Sequence, residues 1–127
     1  YIVGKCGAMV KSKYKKILCF DIDNTICTTQ GNKYNEAKPI KIAIKKINEL
    51  YKKGYYIKLF TSRFMGRNKE SINKAKKSGF KITSNQMKKW KVKYHKLIIG
   101  KPSYDLFVDD KSIYFKKKWY LDINKFL

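Results

Sequence analysis

Asp21-Ile22-Asp23 sets two carboxylates one residue apart just past the apolar run 17–20, so both acids can face one pocket while Ile22 faces elsewhere. Paired carboxylates suit metal-assisted phosphoryl chemistry, because Mg²⁺ takes hard oxygen ligands: one or two carboxylates, water and substrate phosphate. Alone the pair is weak, since acids after a strand often only form turns or cap helices. Three further polar groups follow apolar runs in the same way: Thr61-Ser62-Arg63, Gly100-Lys101-Pro102 and Asp109-Asp110. A nucleophilic carboxylate, a hydroxyl, a lysine and a second acid pair are the parts needed to hold and attack a phosphoryl group.

To act together these groups must stand at one edge of a sheet. Residues 17–20 are apolar on both faces and read as a strand in the middle of a parallel sheet, with the site at its C-terminal end. Ile40, Ala43, Ile44, Ile47, Leu50 and Tyr51 recur at helical spacing, with Pro39 suited to the first turn and Gly54 to the stop. Residues 55–60 read as the second strand, completing a βαβ unit. A short helix over 69–78 is expected to stop at Gly79. Thr83 and Gln86 then match a capping box opening another helix that carries Met87 and Trp90. Residues 94–99 read as a third strand, 106–108 as a fourth, 119–121 as an edge strand, and Asp122 as the cap of a final short helix.

The 127 residues fit one domain, with 1–14 an N-terminal extension or the end of an upstream region and 15–127 the domain itself. The chain starts without Met and without a signal-peptide pattern, so a fragment of a longer protein is expected. No apolar run approaches a membrane span. Cys6, Cys19 and Cys27 form an odd set without a C-x-x-C pair, which points away from a disulfide framework or zinc site and toward a reducing cytoplasm. The net charge of +22 would ordinarily suggest nucleic acid. Yet only Arg63 and Arg67 among the 31 basic residues are arginines, and the lysines are spread along a chain also heavy in Ile, Asn and Tyr, as codon bias in an AT-rich genome produces. In that setting the two arginines stand out, because a guanidinium grips anions in a bidentate way that lysine cannot. His95, in an apolar run, reads as a packing residue.

Taken in order, Asp21 to Thr25, Thr61, Lys101 and Asp109-Asp110 resemble the four motifs of the haloacid dehalogenase (HAD) superfamily. Residues 59–67, with 100–105 and 108–111, look like its small phosphatases of capsule and surface-polysaccharide biosynthesis. The resemblance implies a Rossmann-like α/β three-layer sandwich around a central parallel sheet. It also implies Asp21 as nucleophile, Asp23 as general acid/base, Thr61 and Lys101 as catalytic partners, and Asn24, Thr25, Ser62, Arg63 and Arg67 around the substrate. Mg²⁺ would be held by Asp21, the Asp23 main-chain carbonyl and Asp109, with Asp110 in or beyond the inner shell. Asn24 stands where glycine is commonest, and asparagine tolerates a left-handed turn. Lys93, Lys96 and Lys111 are alternative candidates for the role of Lys101.

The connections after Asp23 and after Thr61 leave no room for a full cap domain, so a bulky substrate, a fused upstream domain or a second copy of the chain is expected at an open site. The expected activity is Mg²⁺-dependent phosphomonoester hydrolysis of a sugar phosphate or related small metabolite. The alternatives are a polynucleotide 3′-phosphatase and a catalytically idle binding domain. A receiver domain fits less well, because its phosphorylated aspartate lies in a later strand.

Overall fold

A computed structural model describes residues 13–127, so Cys6 and nearly all of the expected N-terminal extension lie outside the described residues. In chain order these form β1 (Ile17–Phe20), β2 (Cys27–Thr28), β3 (Lys38–Pro39), α1 (Lys41–Lys52), β4 (Tyr56–Thr61), α2 (Ile72–Lys89), β5 (Lys96–Ile99) and α3 (Trp119–Asp122). Single 3-10 turns occupy Tyr34–Glu36, Gly66–Asn68 and Ile123–Phe126. The main sheet is parallel, in the order β1-β4-β5, and β2 and β3 form a small antiparallel ribbon. No helix among the described residues is long and apolar enough to cross a membrane.

Helix α1 forms as its periodicity requires, burying Ala43, Ile44, Ile47 and Leu50 on one face. Gly54 ends it at φ 99°: Gly54 N–H returns to Tyr51 and Tyr55 N–H to Leu50, the paired bonds of a Schellman motif. Pro39 is not in the first turn of α1, where it was expected, but pairs with Cys27 in the β2–β3 ribbon.

Phe20, Leu59 and Leu97 lie in one register row and join the buried residues of α1 and Met87 of α2 in a single core. Both helices therefore cover the same face, as successive right-handed crossovers in one direction dictate. The opposite face presents the row Cys19, Lys58 and Lys96, of which Cys19 and Lys96 are exposed. The described residues thus form an α/β arrangement of helices on a parallel three-stranded sheet, consistent with the Rossmann-like layering expected. Among the described residues β1 is an edge rather than the middle of the sheet, because residues 106–108 form no strand beside it. Leu106 and Val108 are 81% and 87% exposed. The rings of Tyr104 and Phe107 pack together at 5.0 Å and both sit over the Lys101 ammonium, which bends this segment out of an extended path. Residues 119–122 are helical instead of an edge strand, since Trp119 and Ile123 bury at helical spacing. Asp122 makes no side-chain cap to the last turn but pairs with Lys116 and Lys125.

The two expected helices after residue 69 are one. Helix α2 begins at Ser71, whose hydroxyl accepts the Lys74 N–H, and runs through Gly79 to Lys89. A mid-helix glycine costs only about 1 kcal/mol, and here the missing side chain admits the Phe64 ring. Gly79 is thus a packing notch rather than a stop. Gly79→Ala should lower the thermal midpoint, because a methyl would overlap the buried ring. Overpacking of about 1–3 kcal/mol outweighs or at least cancels the gain in helix propensity, and a raised midpoint on thermal denaturation would refute the packing.

His95 packs as expected, stacked on Tyr51 and Tyr56 at 4.4 and 4.5 Å, with Tyr14 against its edge at 4.9 Å. Its Nδ1 accepts the Ile57 N–H at 3.0 Å, which requires that nitrogen unprotonated. Burial, with Lys13 nearby, lowers its pKa. A group whose pKa falls on folding is protonated first in the unfolded chain, so its contribution is present above the ordinary histidine value and is lost as pH drops through the folded value. Thermal midpoints of the wild type should fall between about pH 7 and 5. In His95→Asn, whose amide oxygen can still accept from Ile57, that component should vanish; an unchanged slope would exclude His95 as its source.

Candidate active site

The loop after β1 is built by its own residues. Ile22 is fully buried, Asn24 turns left-handed at φ 62° as expected, and the amides of Thr25 and Ile26 both return to the Ile22 carbonyl. This reversal brings the Thr25 hydroxyl to Asp21 Oδ2 at 3.0 Å. Trp119 Nε1 donates to the Thr25 carbonyl at 2.9 Å and fixes the loop from beneath.

Lys101 Nζ reaches the other oxygen of Asp21 at 3.4 Å. Its backbone is held twice. The amides of Gly100 and Lys101 both donate to the Thr61 carbonyl, and Glu70 accepts both the amide and the hydroxyl of Ser103. Burial works to lower the Lys101 pKa, but Tyr104 and the Asp21 carboxylate outweigh it and the ammonium is held above its ordinary value. Thr61 is buried; its hydroxyl accepts the Arg63 N–H at 3.1 Å, which leaves its own proton to give. Ser62 is half-buried beside it.

Asp23 looks the other way. Arg63 Nε donates to Asp23 Oδ2 and Nη2 to Oδ1, both at 2.8 Å, and the Thr29 hydroxyl adds a bond to Oδ1 at 2.6 Å. The third arm, Nη1, donates to Gln86 Oε1 at 2.7 Å. Only 1% exposed, Arg63 is therefore turned inward and does not present itself to a substrate as expected. Arg67 lies over the rings of Phe64 and Tyr34 and donates to the Asn32 carbonyl, so it too is engaged with the loop after β2. Asn24 Oδ1 accepts the Thr29 N–H in the same loop. Thr29 also lines an open cleft of about 400 Å³ with Thr28, Gln30, Lys33, Glu36 and Lys38.

Asp109 and Asp110 do not join Asp21 and Asp23 directly. They sit in an exposed turn in which Asp109 accepts from the Lys111 amide. Among the described residues no three His, Cys, Asp or Glu side chains stand together as a metal-holding group. The donor that suits Mg²⁺ is the Asp21 carboxylate, a partly exposed hard oxygen ligand.

Thr29, Gln86, Glu70 and Trp119 belong to this constellation and were not singled out from sequence as part of it. Gln86 lies half-buried beside the stripe of Ala75, Gly79, Thr83 and Met87 on α2, three residues after Thr83.

No family model matches the chain, and no curated protein matches it. It is similar in structure to a protein from Vibrio cholerae whose crystal structure was determined as an MCSG target, with a TM-score of 0.76, 21% identity, and coverage of 87% of this chain and 94% of that one. At that identity the likeness shows a shared α/β fold.

Arg63→Met removes one partner of a charge pair that is buried on the arginine side. Asp23 keeps some contact with water, so the loss should be about 2–4 kcal/mol, at or somewhat below that of breaking a fully buried pair. Chemical denaturation checks this; a change under about 0.5 kcal/mol, typical of a surface site, would show the pair to be dispensable.

Proposed function

We propose that the chain is a Mg²⁺-dependent phosphomonoesterase of the HAD type, working through an aspartyl-phosphate on Asp21, with a sugar phosphate or related small metabolite as substrate. One observation carries it: at the C-terminal end of β1 a single carboxylate receives a hydroxyl at one oxygen and an ammonium at the other, beside a second carboxylate held apart by its own arginine.

The two acids are thereby given different work. Asp21, with Thr25 and Lys101 holding its oxygens, is oriented to attack phosphorus, while the Lys101 ammonium neutralises charge developing on the phosphoryl oxygens. As the new P–O bond to Asp21 forms, the bond to the substrate alcohol breaks and that oxygen takes a proton from Asp23. Asp23 then takes a proton from water, whose oxygen attacks phosphorus and releases Asp21 and inorganic phosphate. Asp23 Oδ1 is occupied by Arg63 and Thr29, whereas Oδ2 has only Arg63 Nε, so Oδ2 has room for the travelling proton. The Thr61 hydroxyl is the further donor to the phosphoryl group. Asp21 and the Asp23 main-chain carbonyl are the groups that would hold Mg²⁺, with Asp109 and Asp110 as the further acids the motif offers, and the ion would supply charge neutralisation at the transferring phosphate.

The segment beside Lys101 supports a small substrate. Asp105, Asp109, Asp110 and Asp122 are four of the chain's nine acids, interleaved with Lys111 and Lys116 to Lys118, so the charge of this segment is mixed. A cytoplasmic role in surface-polysaccharide biosynthesis fits this chemistry.

With Mg²⁺ present, hydrolysis of sugar phosphates should be abolished in Asp21→Asn while the circular dichroism spectrum and thermal midpoint stay near wild type. Normal turnover in that variant would remove Asp21 from the mechanism. A preference of about 100-fold for a 3′-phosphorylated oligonucleotide, roughly 2.7 kcal/mol of discrimination, would overturn the small-substrate reading.

A further inference from the structure

Gln86 lies on α2, outside every motif that carries the proposed chemistry, yet it touches two of the site's supports at once. Its Oε1 accepts from Arg63 Nη1 at 2.7 Å and its Nε2 donates to the Tyr34 carbonyl at 2.8 Å. The orientation of this amide is fixed by its partners: a guanidinium only donates and a carbonyl only accepts, so a flipped amide would lose both bonds. Tyr34 in turn sits under both guanidiniums, with Arg63 and Arg67 at 5.0 and 5.5 Å from its ring centre. The loop carrying Tyr34 also carries Thr29, which bonds Asp23 and lines the 400 Å³ cleft.

We propose that Gln86 is a positioning residue that clamps Arg63 onto Asp23 and ties the wall of the cleft to the same anchor. The inference rests on the phosphatase reading for its kinetic consequence, but not for its structural one. Arg63 has three donor directions, and with Asp23 taking two, the third decides whether the guanidinium stays in the plane that serves both carboxylate oxygens. Without an acceptor on α2, the buried Nη1 is unsatisfied and Arg63 gains by rotating toward water or toward Cys27, whose sulfur lies 3.9 Å from Nη2. Asp23 would then lose the geometry from which it protonates the leaving oxygen. Glutamine offers an acceptor and a donor from one planar amide, which matches a guanidinium on one side and a carbonyl on the other. Glutamate keeps the acceptor for Arg63 and sets an oxygen against the Tyr34 carbonyl; alanine removes both contacts.

The test compares wild type, Gln86→Ala and Gln86→Glu in two measurements. Hydrogen exchange of the Arg63 Nε–H by ¹⁵N NMR, with the Arg67 Nε–H as reference, and of backbone amides 29–37 needs no activity. Exchange at Arg63 and in the loop should both accelerate in Gln86→Ala, but in the loop alone in Gln86→Glu. The kinetic measurement is kcat/KM on p-nitrophenyl phosphate and on an alkyl phosphate, because a poor leaving group needs the general acid and a good one scarcely does. Gln86→Ala should lose about tenfold or more on the alkyl ester against less than about threefold on the nitrophenyl ester, and Gln86→Glu should recover most of the alkyl loss. Unaccelerated exchange at Arg63 in Gln86→Ala would overturn the proposal. So would an equal loss on both esters in both variants, the signature of general loosening. If the wild type hydrolyses neither ester, the phosphatase reading fails, and the exchange data judge the clamp by themselves.

Discussion

The bidentate bond between Arg63 and Asp23 organises the site. Two charge-assisted hydrogen bonds of 2.8 Å are strong individually, but a guanidinium that is almost fully buried carries a desolvation penalty they repay only if its remaining donor is also satisfied. Gln86 on α2 meets that requirement, and its amide nitrogen also bonds the Tyr34 carbonyl in the loop after β2. The same pair gives the two acids different surroundings. Asp23 is held by Arg63 and Thr29 and keeps part of its carboxylate exposed, and Asp21 is left to Thr25 and Lys101 at the open end of β1.

Holding Arg63 inward requires a backbone that reverses immediately after β4. Phe64 accomplishes this at φ 68°, a left-handed conformation unusual for a bulky residue, and Met65 N–H closes the turn on the Ser62 carbonyl. Such a conformation persists where its surroundings over-determine it. The Phe64 ring is fixed between Tyr34 on one side and the notch at Gly79 on the other, with Arg67 over its face. One glycine in the middle of a helix thus sets the direction of an arginine in the preceding turn.

The other half of the site depends on β5 and the chain beyond it. Thr61 is the hinge: its carbonyl gathers the amides that launch Lys101, while its hydroxyl supports the Arg63 amide. Because Tyr104 and Phe107 wrap the Lys101 ammonium, residues 106–108 are drawn off the line of the sheet, and the free edge of β1 and the row of Cys19, Lys58 and Lys96 are left uncovered by described residues.

The sequence by itself determined the parts whose causes lie within a few residues. The helical spacing from Ala43 to Leu50, the stop at Gly54, the left-handed Asn24 and the placement of Asp21, Thr61 and Lys101 just past apolar runs all follow from local periodicity and turn chemistry. Tertiary structure decided where long polar side chains point and whether marginal signals prevail. Arg63 turns inward because Asp23, 40 residues earlier, and Gln86, 23 residues later, supply acceptors that no local pattern announces. Gly79 fails to stop its helix, and Thr83 and Gln86 fail to cap a new one. A helix break is worth only about 1 kcal/mol locally, less than a well-seated aromatic ring and a satisfied buried guanidinium contribute together. The run 106–108 has strand chemistry but no strand, because β pairing needs a partner edge delivered by the rest of the chain, and a cation near two aromatic rings bends it elsewhere.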